Sequence, residues 1–423
     1  MSLSTQFSCD SNYDPNSLSV DYARELILGQ LNPIQGSERV ALRDALGRVL
    51  ADDVLAPFNV PAHNNSGMDG FAVRFADLSD AGPSRLRVIG VALAGKPFVG
   101  SLGAGVCVRI MTGAVPPPGT DTIVVQEAVQ TEDDFVLIPA GQRLGQHIRL
   151  AGEDLAIGKP ALPAGKLLRP AELGLIASLG CAEVTVRRRL RVAFFSTGDE
   201  LCSIGSPLAV GKIYDSNRYT LFGMLTRIGC DVLDMGVVRD DPAVLEAAFR
   251  EAATNADVVI TSGGVSVGEA DFVKQMMTKL GEVLFWKIAM KPGRPMAFGR
   301  LGEERGGAWL FGLPGNPVAV MTTFYQFVRD ALYKLMGAEP IPSVPLLAAT
   351  CTFALKKFPG RSEFPRGILA FEEGLWRVRL TGAQGSGILR SMSDANCLIV
   401  LEPERGNVAA GETVMVQLFE GIV

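Results

Sequence analysis

Acidic and glycine-rich segments follow the apolar, β-branched runs in the central part of the chain. Because ligands of open parallel sheets bind outside the carboxyl ends of the strands, residues directly after such runs are candidates for one shared site. Four segments have this position: GDE (198–200) after FFST, RDD (239–241) after LDMGVV, GGVSVGEAD (263–271) after VVITS, and LPGNP (313–317) after WLFG.

Two of these segments are glycine-rich turns that lead into predicted helices. A helix N-terminus preceded by glycines presents unpaired amides that bind a phosphate or an oxyanion without a cationic side chain. A glycine turn also occurs as a plain tight connection. Two such turns in one sheet, beside acids, favour the binding site. The amides and side chains expected to contact an anion are those of Ser262, Gly263, Gly264, Gly315 and Asn316.

Cations come from the segment FWKIAMKPGRP (285–295). Residues four apart on an extended strand lie on one face, so Lys287 and Lys291 are expected to point the same way, with Arg294 after the Pro-Gly turn. The alternative is a solvated charged face. The apolar neighbours of Lys287 speak against it, and we therefore expect an anion-binding role.

Acids beside cations in one crevice indicate a polyphosphate with its Mg²⁺. Glu200 and Asp271 are the predicted metal ligands, because they lie nearest to the first strand-end turn and the glycine loop. The alternative for a single acid is a helix cap, which suits Asp240, Asp241 and Glu269. Zn²⁺ stays open beside Mg²⁺.

Composition excludes several function classes. The chain has 423 residues and a net charge of −5, which gives no general attraction for nucleic acid or for an anionic membrane surface. Seven widely spaced cysteines indicate reduced thiols and a cytoplasmic protein. Neither a membrane span nor a signal peptide is predicted. With only His63 and His147, few candidates exist for a histidine zinc site or a catalytic triad.

The secondary-structure pattern of the elements that must position these residues changes along the chain. A capped amphipathic helix comes early, and short β-runs broken by Gly and Pro follow. A helix and a strand that resemble the N-terminal pattern come next. Strands next alternate with helices, which implies right-handed crossovers and a mostly parallel sheet covered on both faces. Short strands and turns close the chain as a small β-barrel. Residues 1–17 are predicted to be disordered.

The predicted fold class is α/β plus β, in an elongated multidomain chain with a doubly wound, mostly parallel α/β sheet domain. The β-rich unit is predicted to be inserted between two halves of one domain. The predicted domains are a discontinuous linker domain of 18–51 and 151–188, an inserted β-rich domain of 52–150, an α/β domain of 189–340, and a C-terminal β-barrel domain of 341–423.

Nine segments, in order over nearly the whole chain, resemble the molybdopterin molybdenumtransferase family, which includes bacterial MoeA and the C-terminal E domain of gephyrin. They are NNSGMDGFAV (64–73), RIMTGAVPP (109–117), RLAGED (149–154), FFSTGDEL (194–201), YDSN (214–217), VVRDDP (237–242), TSGGVSVGEADF (261–272), KIAMKPGRP (287–295) and GLPGNPV (312–318).

The resemblance implies a homodimer that inserts molybdate into adenylylated molybdopterin, with release of AMP and a requirement for a divalent cation. Its active site is expected to be shared between subunits, and contact with a molybdopterin adenylyltransferase is a further expectation. Catalytic roles are implied for Asp69 and Thr112 of the partner-facing β domain and for Asp240, Asp271, Lys287 and Lys291 of the α/β domain. Substrate contacts are implied for Pro314, Pro317, Arg366 and Ser386.

Three positions depart from the family pattern. Ala319 stands where Ser is frequent, Gly67 where Ala is common, and Arg294 where Lys is frequent. The sequence does not distinguish molybdate from tungstate as the substrate. It also does not identify the catalytic base or the downstream acceptor of the cofactor. Two alternatives stay open: a molybdopterin adenylyltransferase, against which the extra β domains speak, and a non-enzymatic scaffold like gephyrin, which would favour long linkers that this chain lacks.

Overall fold

The computed structural model describes residues 17–264, 279–302 and 307–419. Residues 1–16 of the predicted disordered N-terminus, most of the helix predicted to follow the glycine loop, and the predicted site residue Asp271 lie outside these residues. The chain divides into two compact units. The smaller unit comprises Asp52–Ala164 and Pro170–Val184, and the larger unit comprises Met1–Ala51, Gly165–Arg169 and Thr185–Val423. The finer division into four domains stays a prediction.

Seven α-helices lie wholly within the described residues. They are α1 Val20–Gln30, α2 Pro170–Ser178, α3 Ser216–Ile228, α4 Pro242–Asn255, α5 Pro317–Thr323, α6 Arg329–Leu335 and α7 Arg390–Asp394. A π-helical segment, Phe324–Val328, joins α5 to α6. None of the helices in this part of the chain is long and apolar enough to cross a membrane.

The strands of the described residues are numbered in chain order. They are β1 Ser37–Ala41, β2 Val54–Leu55, β3 Asn65–Ser66, β4 Gly70–Val73, β5 Ser84–Ala92, β6 Val106–Ile110, β7 Thr122–Val125, β8 Gln130–Glu132, β9 Phe135–Ile138, β10 Ile148–Arg149, β11 Pro160–Leu162, β12 Glu183–Arg187, β13 Arg191–Thr197, β14 Leu201–Cys202, β15 Ile213–Tyr214, β16 Asp231–Val238, β17 Val258–Ser262, β18 Gly281–Lys287, β19 Met290–Lys291, β20 Pro295–Leu301, β21 Ala308–Leu313, β22 Leu346–Cys351, β23 Ser362–Glu363, β24 Arg366–Glu372, β25 Leu375–Leu380, β26 Cys397–Val400 and β27 Thr413–Leu418.

The α/β sheet of the larger unit has the strand order β16-β13-β17-β21-β20-β18. The first four strands are parallel, β20 is antiparallel to β21, and β18 is antiparallel to β20. Five of the six strands therefore run in one direction, which confirms the mostly parallel sheet. As a consequence, the carboxyl ends of β13, β17, β21 and β18 lie at the same edge of the sheet.

Both faces of this sheet are buried, as the near-continuous apolar strands predict. Alternate residues of β13 and β17 enter two different cores: Phe194 and Ile260 pack in one, and Phe195 and Val259 pack in the other. Helices α1, α3 and α5 contribute to the first core, and α4 contributes to the second.

Capping residues decide where the helices of this sheet begin. Ser19 accepts from the amide of Tyr22 at the start of α1, which confirms the capped helix predicted early in the chain. Asp215 accepts from the amide of Arg218 at the start of α3, and Asp241 caps α4. A short polar side chain at this position satisfies amides that the first helical turn leaves unpaired.

The C-terminal strands form a closed barrel of the order β22-β25-β24-β26-β27, which confirms the predicted small barrel. Strand β23 lies beside this barrel and pairs in parallel with β19, so that Lys291 is opposite Glu363. In the smaller unit, a six-stranded sheet has the order β7-β4-β6-β5-β9-β8 and carries a buried cluster of apolar side chains on each of its faces.

Candidate active site

A cavity of about 1120 Å³ lies within the larger unit, at the carboxyl ends of β13, β17 and β21. Barrel residues close its opposite wall. Cationic side chains outnumber acidic ones in its lining, in a chain whose net charge is negative. The charged residues of the lining are Lys291, Arg294, Lys356, Arg361, Arg366, Glu200, Asp215 and Glu363.

The turns after β17 and β21 reach the strand-end wall of the cavity through Ser262 and residues 314–317, whereas the predicted Gly263 and Gly264 are not part of the described lining. Gly263 has φ of +95°, and a Cβ there would lie 2.5 Å from the carbonyl oxygen of Thr197 at the end of β13. Its amide donates to the carbonyl of Leu313 at 3.1 Å, which joins this turn to the turn after β21. Only glycine fits this close approach without strain. The contact explains why GG follows the strand here.

The lysine segment is not one continuous strand. Strand β18 ends at Lys287, the amide of Ile288 donates to the carbonyl of Arg294 at 2.7 Å, and Met290 and Lys291 then pair with β23. The inference that Lys287 and Lys291 share the face of one extended strand is therefore wrong. Lys291 lines the cavity, whereas Lys287 lies at the same sheet edge, opposite Pro295, outside the cavity lining of the described residues.

A second glycine fixes the turn that carries Lys291 and Arg294. Gly293 has φ of +103°, and a Cβ there would lie 2.6 Å from Oγ1 of Thr323. The turn therefore packs directly on α5, and both cationic residues line the cavity.

Arg366 is the most buried cation of the site, with 1% of its surface exposed. Its Nε donates to Oγ of Ser391 and its Nη2 donates to the carbonyl of Gly385, each at 3.0 Å. Desolvation lowers the pKa of Arg366 to about 10, so that the guanidinium still carries its charge at neutral pH. The barrel thus holds a desolvated positive charge at the cavity wall.

The turn after β21 brings Pro314, Gly315, Asn316 and Pro317 to the cavity. Helix α5 begins at Pro317, which has no amide hydrogen, and the next amide, that of Val318, donates to the carbonyl of Ser386 at 3.1 Å. Ser386 therefore occupies one of the helix-start donors that the sequence suggested for an anion. Ala319 is buried at this helix start and lines the cavity without a hydroxyl.

The predicted acids have separate positions. Glu200 lines the cavity, and its carboxylate folds over Gly198, where a Cβ would lie 2.5 Å from Oε2. Asp240 lies in the exposed turn before α4 and outside the described cavity lining, while Asp241 is the helix cap. Asp271 lies outside the described residues. Within those residues, no group of three His, Cys, Asp or Glu side chains could hold a metal ion.

Asp69 and Thr112 contact each other in the smaller unit. Oδ1 of Asp69 accepts from the amide and from Oγ1 of Thr112, both at 2.7 Å. These two hydrogen bonds, first that of the amide and then that of the hydroxyl, lower the pKa of Asp69. Asp69 is therefore a carboxylate at neutral pH, with the chemistry of a hydrogen-bond acceptor or a counter-charge and not of a proton donor.

Sequence reasoning assigned no role to several residues of the cavity wall. Asp215 and Asn217 enter it from the start of α3. Their YDSN segment is one of the nine family segments, and its helix-capping pattern is the signal that could have assigned them a position. Arg361 and Glu363, which are paired at 3.0 Å, enter from β23 and its preceding turn. Their position depends on pairing with β19 over a long sequence separation, for which no local signal exists.

The fold and the cavity define a class of protein: an α/β protein with a cation-rich cavity at the carboxyl ends of its strands and a small barrel beside it. Three family descriptions match the chain. They are "MoeA N-terminal region (domain I and II)" at residues 18–180, "Probable molybdopterin binding domain" at 193–334 and "MoeA C-terminal region (domain IV)" at 348–419.

Similar proteins cover nearly the whole chain. A molybdopterin molybdenumtransferase of Haemophilus influenzae is 45% identical over 96% of this chain and 100% of its own length. One of Bacillus subtilis is 35% identical over 90% of each chain. The crystal structure of a molybdopterin biosynthesis MoeA protein from Pyrococcus horikoshii superposes with a TM-score of 0.80 at 28% identity, and covers 95% of this chain and 100% of its own.

The chain belongs to the molybdopterin molybdenumtransferase family and is a transferase of molybdenum cofactor biosynthesis. The family predicted from nine sequence segments is confirmed, and the adenylyltransferase and scaffold alternatives are disfavoured.

Proposed function

We propose that this protein inserts molybdate into adenylylated molybdopterin and releases AMP and molybdenum cofactor. The observation that carries the proposal is the cation-rich cavity at the strand ends, which joins two glycine turns, Lys291, Arg294 and Arg366. A pyrophosphate and a molybdate dianion place several negative charges close together. Five cationic side chains around one cavity offset such a charge in an otherwise acidic protein.

Residues at different positions in the cavity have different roles in this proposal. The turn after β17 offers the hydroxyl of Ser262 as a donor to the pyrophosphate, with the amide of Gly264 as a further donor that we propose. Lys291 offsets the charge of the molybdate dianion. Arg366 is preorganised by Ser391 and Gly385, so it can bind molybdate without first paying the entropy of ordering a long side chain. Ser386, Pro314 and Pro317 shape the wall beside it.

A divalent cation fits this site. Glu200 supplies one exposed carboxylate at the cavity, and Asp271 is the second ligand that we propose. Mg²⁺ is commonly bound by one or two carboxylates plus substrate phosphates and water, so a three-residue cluster is not required. Oxygen donors favour Mg²⁺ over Zn²⁺, which prefers nitrogen and sulfur ligands. When bound, the cation would neutralise phosphate charge.

We further propose a homodimer in which Asp69 and Thr112 of one subunit complete the cavity of the other. Catalytic roles for Asp240 and Lys287, and contact with the adenylyltransferase that supplies the substrate, belong to the same proposal. A cytoplasmic location is supported by the six described cysteines, all of which are unpaired thiols.

The test is AMP release from adenylylated molybdopterin by the purified protein, with molybdate and with Mg²⁺ present or chelated. We expect release that depends on both, and we expect Asp271→Asn to abolish it while the melting temperature is kept. Asp231→Asn, an exposed acid of the same unit, is the matched control and should turn over normally. Unchanged turnover by Asp271→Asn would remove Asp271 from the mechanism.

The adenylyltransferase and scaffold alternatives predict different results in this assay. An adenylyltransferase would release pyrophosphate from ATP and molybdopterin, and a scaffold would catalyse neither reaction. Either outcome, in the absence of molybdate-dependent AMP release, would overturn the proposed function.

A further inference from the structure

Asn217 connects the two glycine turns of the cavity. It is the second residue of α3, lines the cavity and is 8% exposed. Its Nδ2 donates to Oγ of Ser262 at 2.8 Å and to the carbonyl oxygen of Gly315 at 2.6 Å. Ser262 ends β17 and Gly315 follows β21, so one side-chain amide is bonded to both strand-end turns.

The orientation of this amide follows from the chemistry of its partners. A backbone carbonyl such as that of Gly315 can only accept, so the group that faces it is the nitrogen and not the oxygen. The other end, Oδ1 of Asn217, is buried and has no hydrogen-bond partner among the described residues. A buried unpaired carbonyl is costly, so the two bonds made by Nδ2 must fix this orientation of the amide against that cost.

The two hydrogen bonds change what Ser262 and Gly315 present to the cavity. A hydroxyl carries one hydrogen, and because Oγ of Ser262 accepts from Asn217, its own O–H stays available as a donor. The lone pair of the Gly315 carbonyl, which would repel an anion, is directed at Asn217 instead. Asn217 thereby makes this part of the wall a donor surface.

We propose that Asn217 is a positioning residue, which holds the Ser262 and Gly315 turns at a fixed spacing and directs the Ser262 hydroxyl toward a phosphate or oxo group of the substrate. The identity of that anion rests on the proposed function. The positioning role rests only on the cavity and on the hydrogen bonds of Asn217.

The principal variant is Asn217→Asp, which keeps the size of the side chain and removes both donors. A carboxylate would also repel the Gly315 carbonyl. The matched control is Asn255→Asp at the exposed end of α4, where Nδ2 donates to a single backbone carbonyl, that of Glu251. Both variants exchange the same amide for the same acid, so a general effect of added charge would appear in both.

Calorimetric titration with AMP and, separately, with molybdate gives a readout that does not require turnover. We expect about a tenfold or larger loss of affinity for at least one of these probes in Asn217→Asp and no change in Asn255→Asp. For turnover of adenylylated molybdopterin, we expect kcat to fall about a hundredfold, more than KM rises, because misplacement of a contact group acts most on the transition state. Affinities and kcat within twofold of wild type would overturn the inference.

A double-mutant cycle keeps the inference testable if Asn217→Asp fails to fold. Ser262→Ala removes the hydroxyl but leaves the bond from Asn217 to Gly315, and Asn217→Ser retains a hydroxyl donor. If Asn217 acts through Ser262, the Asn217→Ser and Ser262→Ala losses in AMP or molybdate affinity are not additive. Additive losses would overturn the action through Ser262.

The two proposals can fail separately. If wild-type protein binds AMP but does not turn over adenylylated molybdopterin, the proposed function fails while the AMP titrations still test Asn217. If turnover occurs and Asn217→Asp leaves both binding and kcat unchanged, only the positioning role fails.

Discussion

At the scale of the residue, substitution of Lys291 is the change that best distinguishes molybdate binding from nucleotide binding in the proposed reaction. It lines the cavity on a turn packed against α5, and strand pairing sets it opposite Glu363 of β23. The carbonyl of Lys291 accepts from the amide of Phe364 at 2.9 Å, and Phe364 lies just before Arg366 in the chain, so Lys291 is attached to the segment that leads into Arg366. We therefore assign Lys291 chiefly to molybdate.

Lys291→Ala should weaken the use of molybdate more than it weakens the binding of nucleotide. We expect the molybdate concentration for half-maximal rate to rise about tenfold or more. The Coulomb attraction between one lysine charge and a neighbouring dianion is about 1.4 kcal/mol or more at short range, which corresponds to that factor. Steady-state kinetics and AMP titration measure the two effects. Lys279→Ala, which removes an exposed lysine bound to Glu246, is the control.

An equal loss for molybdate and for AMP would instead assign Lys291 to the pyrophosphate. A loss confined to AMP would contradict the assignment altogether.

The residues that sequence reasoning located best are those whose position follows from strand ends. Glu200, Ser262 and Gly315 all line the cavity, because the carboxyl ends of parallel strands meet at one edge of a sheet. The prediction that Lys287 and Lys291 point the same way assumed one continuous strand. The strand is interrupted between β18 and β19, so the two-residue periodicity of a strand does not relate these lysines. Arg361 and Glu363 depend on pairing over a distance that no local pattern encodes.

At the scale of the element, a partly buried ion pair attaches the start of β17 to its neighbours. Arg188 donates to both carboxylate oxygens of Asp257 at 2.7 Å, and the amide of Arg191 donates to the same carboxylate at 2.8 Å. Burial raises the pKa of Asp257, but the hydrogen bonds from Arg188 and Arg191 outweigh it, so that the net pKa is lowered. β17 is the strand that carries the Ser262 turn at its other end.

Asp257→Asn should destabilise the larger unit by about 2 kcal/mol at pH 7, because a bidentate charged pair loses its charge. A carboxyl whose pKa is lower in the folded state stabilises at pH above its unfolded value near 3.9, and loses that contribution as the pH falls through the folded value. The difference in unfolding free energy between wild type and variant should therefore shrink below about pH 4.

Urea unfolding at a series of pH values measures this difference. Glu246→Gln, in an exposed pair with Arg250 and Lys279, is the control and should change stability little at any pH. A difference for Asp257→Asn that is constant with pH would contradict the linkage.

Helices and strands themselves were predictable where a capping residue or an unbroken apolar run stands in the sequence, as at Ser19, Asp241 and the residues of β13 and β17. The π-helical segment Phe324–Val328 within one predicted helix was not predictable. Helical periodicity in sequence does not distinguish a local change of winding, which packing against neighbouring elements decides.

At the scale of the whole molecule, the proposed shared site makes Asp69 and Lys291 parts of one reaction that stand on different subunits. Asp69→Asn keeps an oxygen that can accept both hydrogen bonds from Thr112, so this variant loses the charge and retains the loop. Asp69→Asn and Lys291→Ala are each expected to be impaired as pure homodimers.

Mixing these two impaired variants should restore activity. In a mixed dimer, one cavity combines Lys291 of the first subunit with Asp69 of the second and is intact, while the other cavity carries both substitutions. Random exchange makes half of the dimers mixed, so about a quarter of the wild-type activity should return. AMP release, followed after the subunits have been exchanged in mild denaturant, measures the recovery. A control mixture of Asp69→Asn with a variant that carries both substitutions offers no intact cavity and should stay impaired. If each subunit instead builds its site from its own residues, the first mixture will show no gain over the mean of its two components, which would contradict the shared site while leaving the reaction itself untouched.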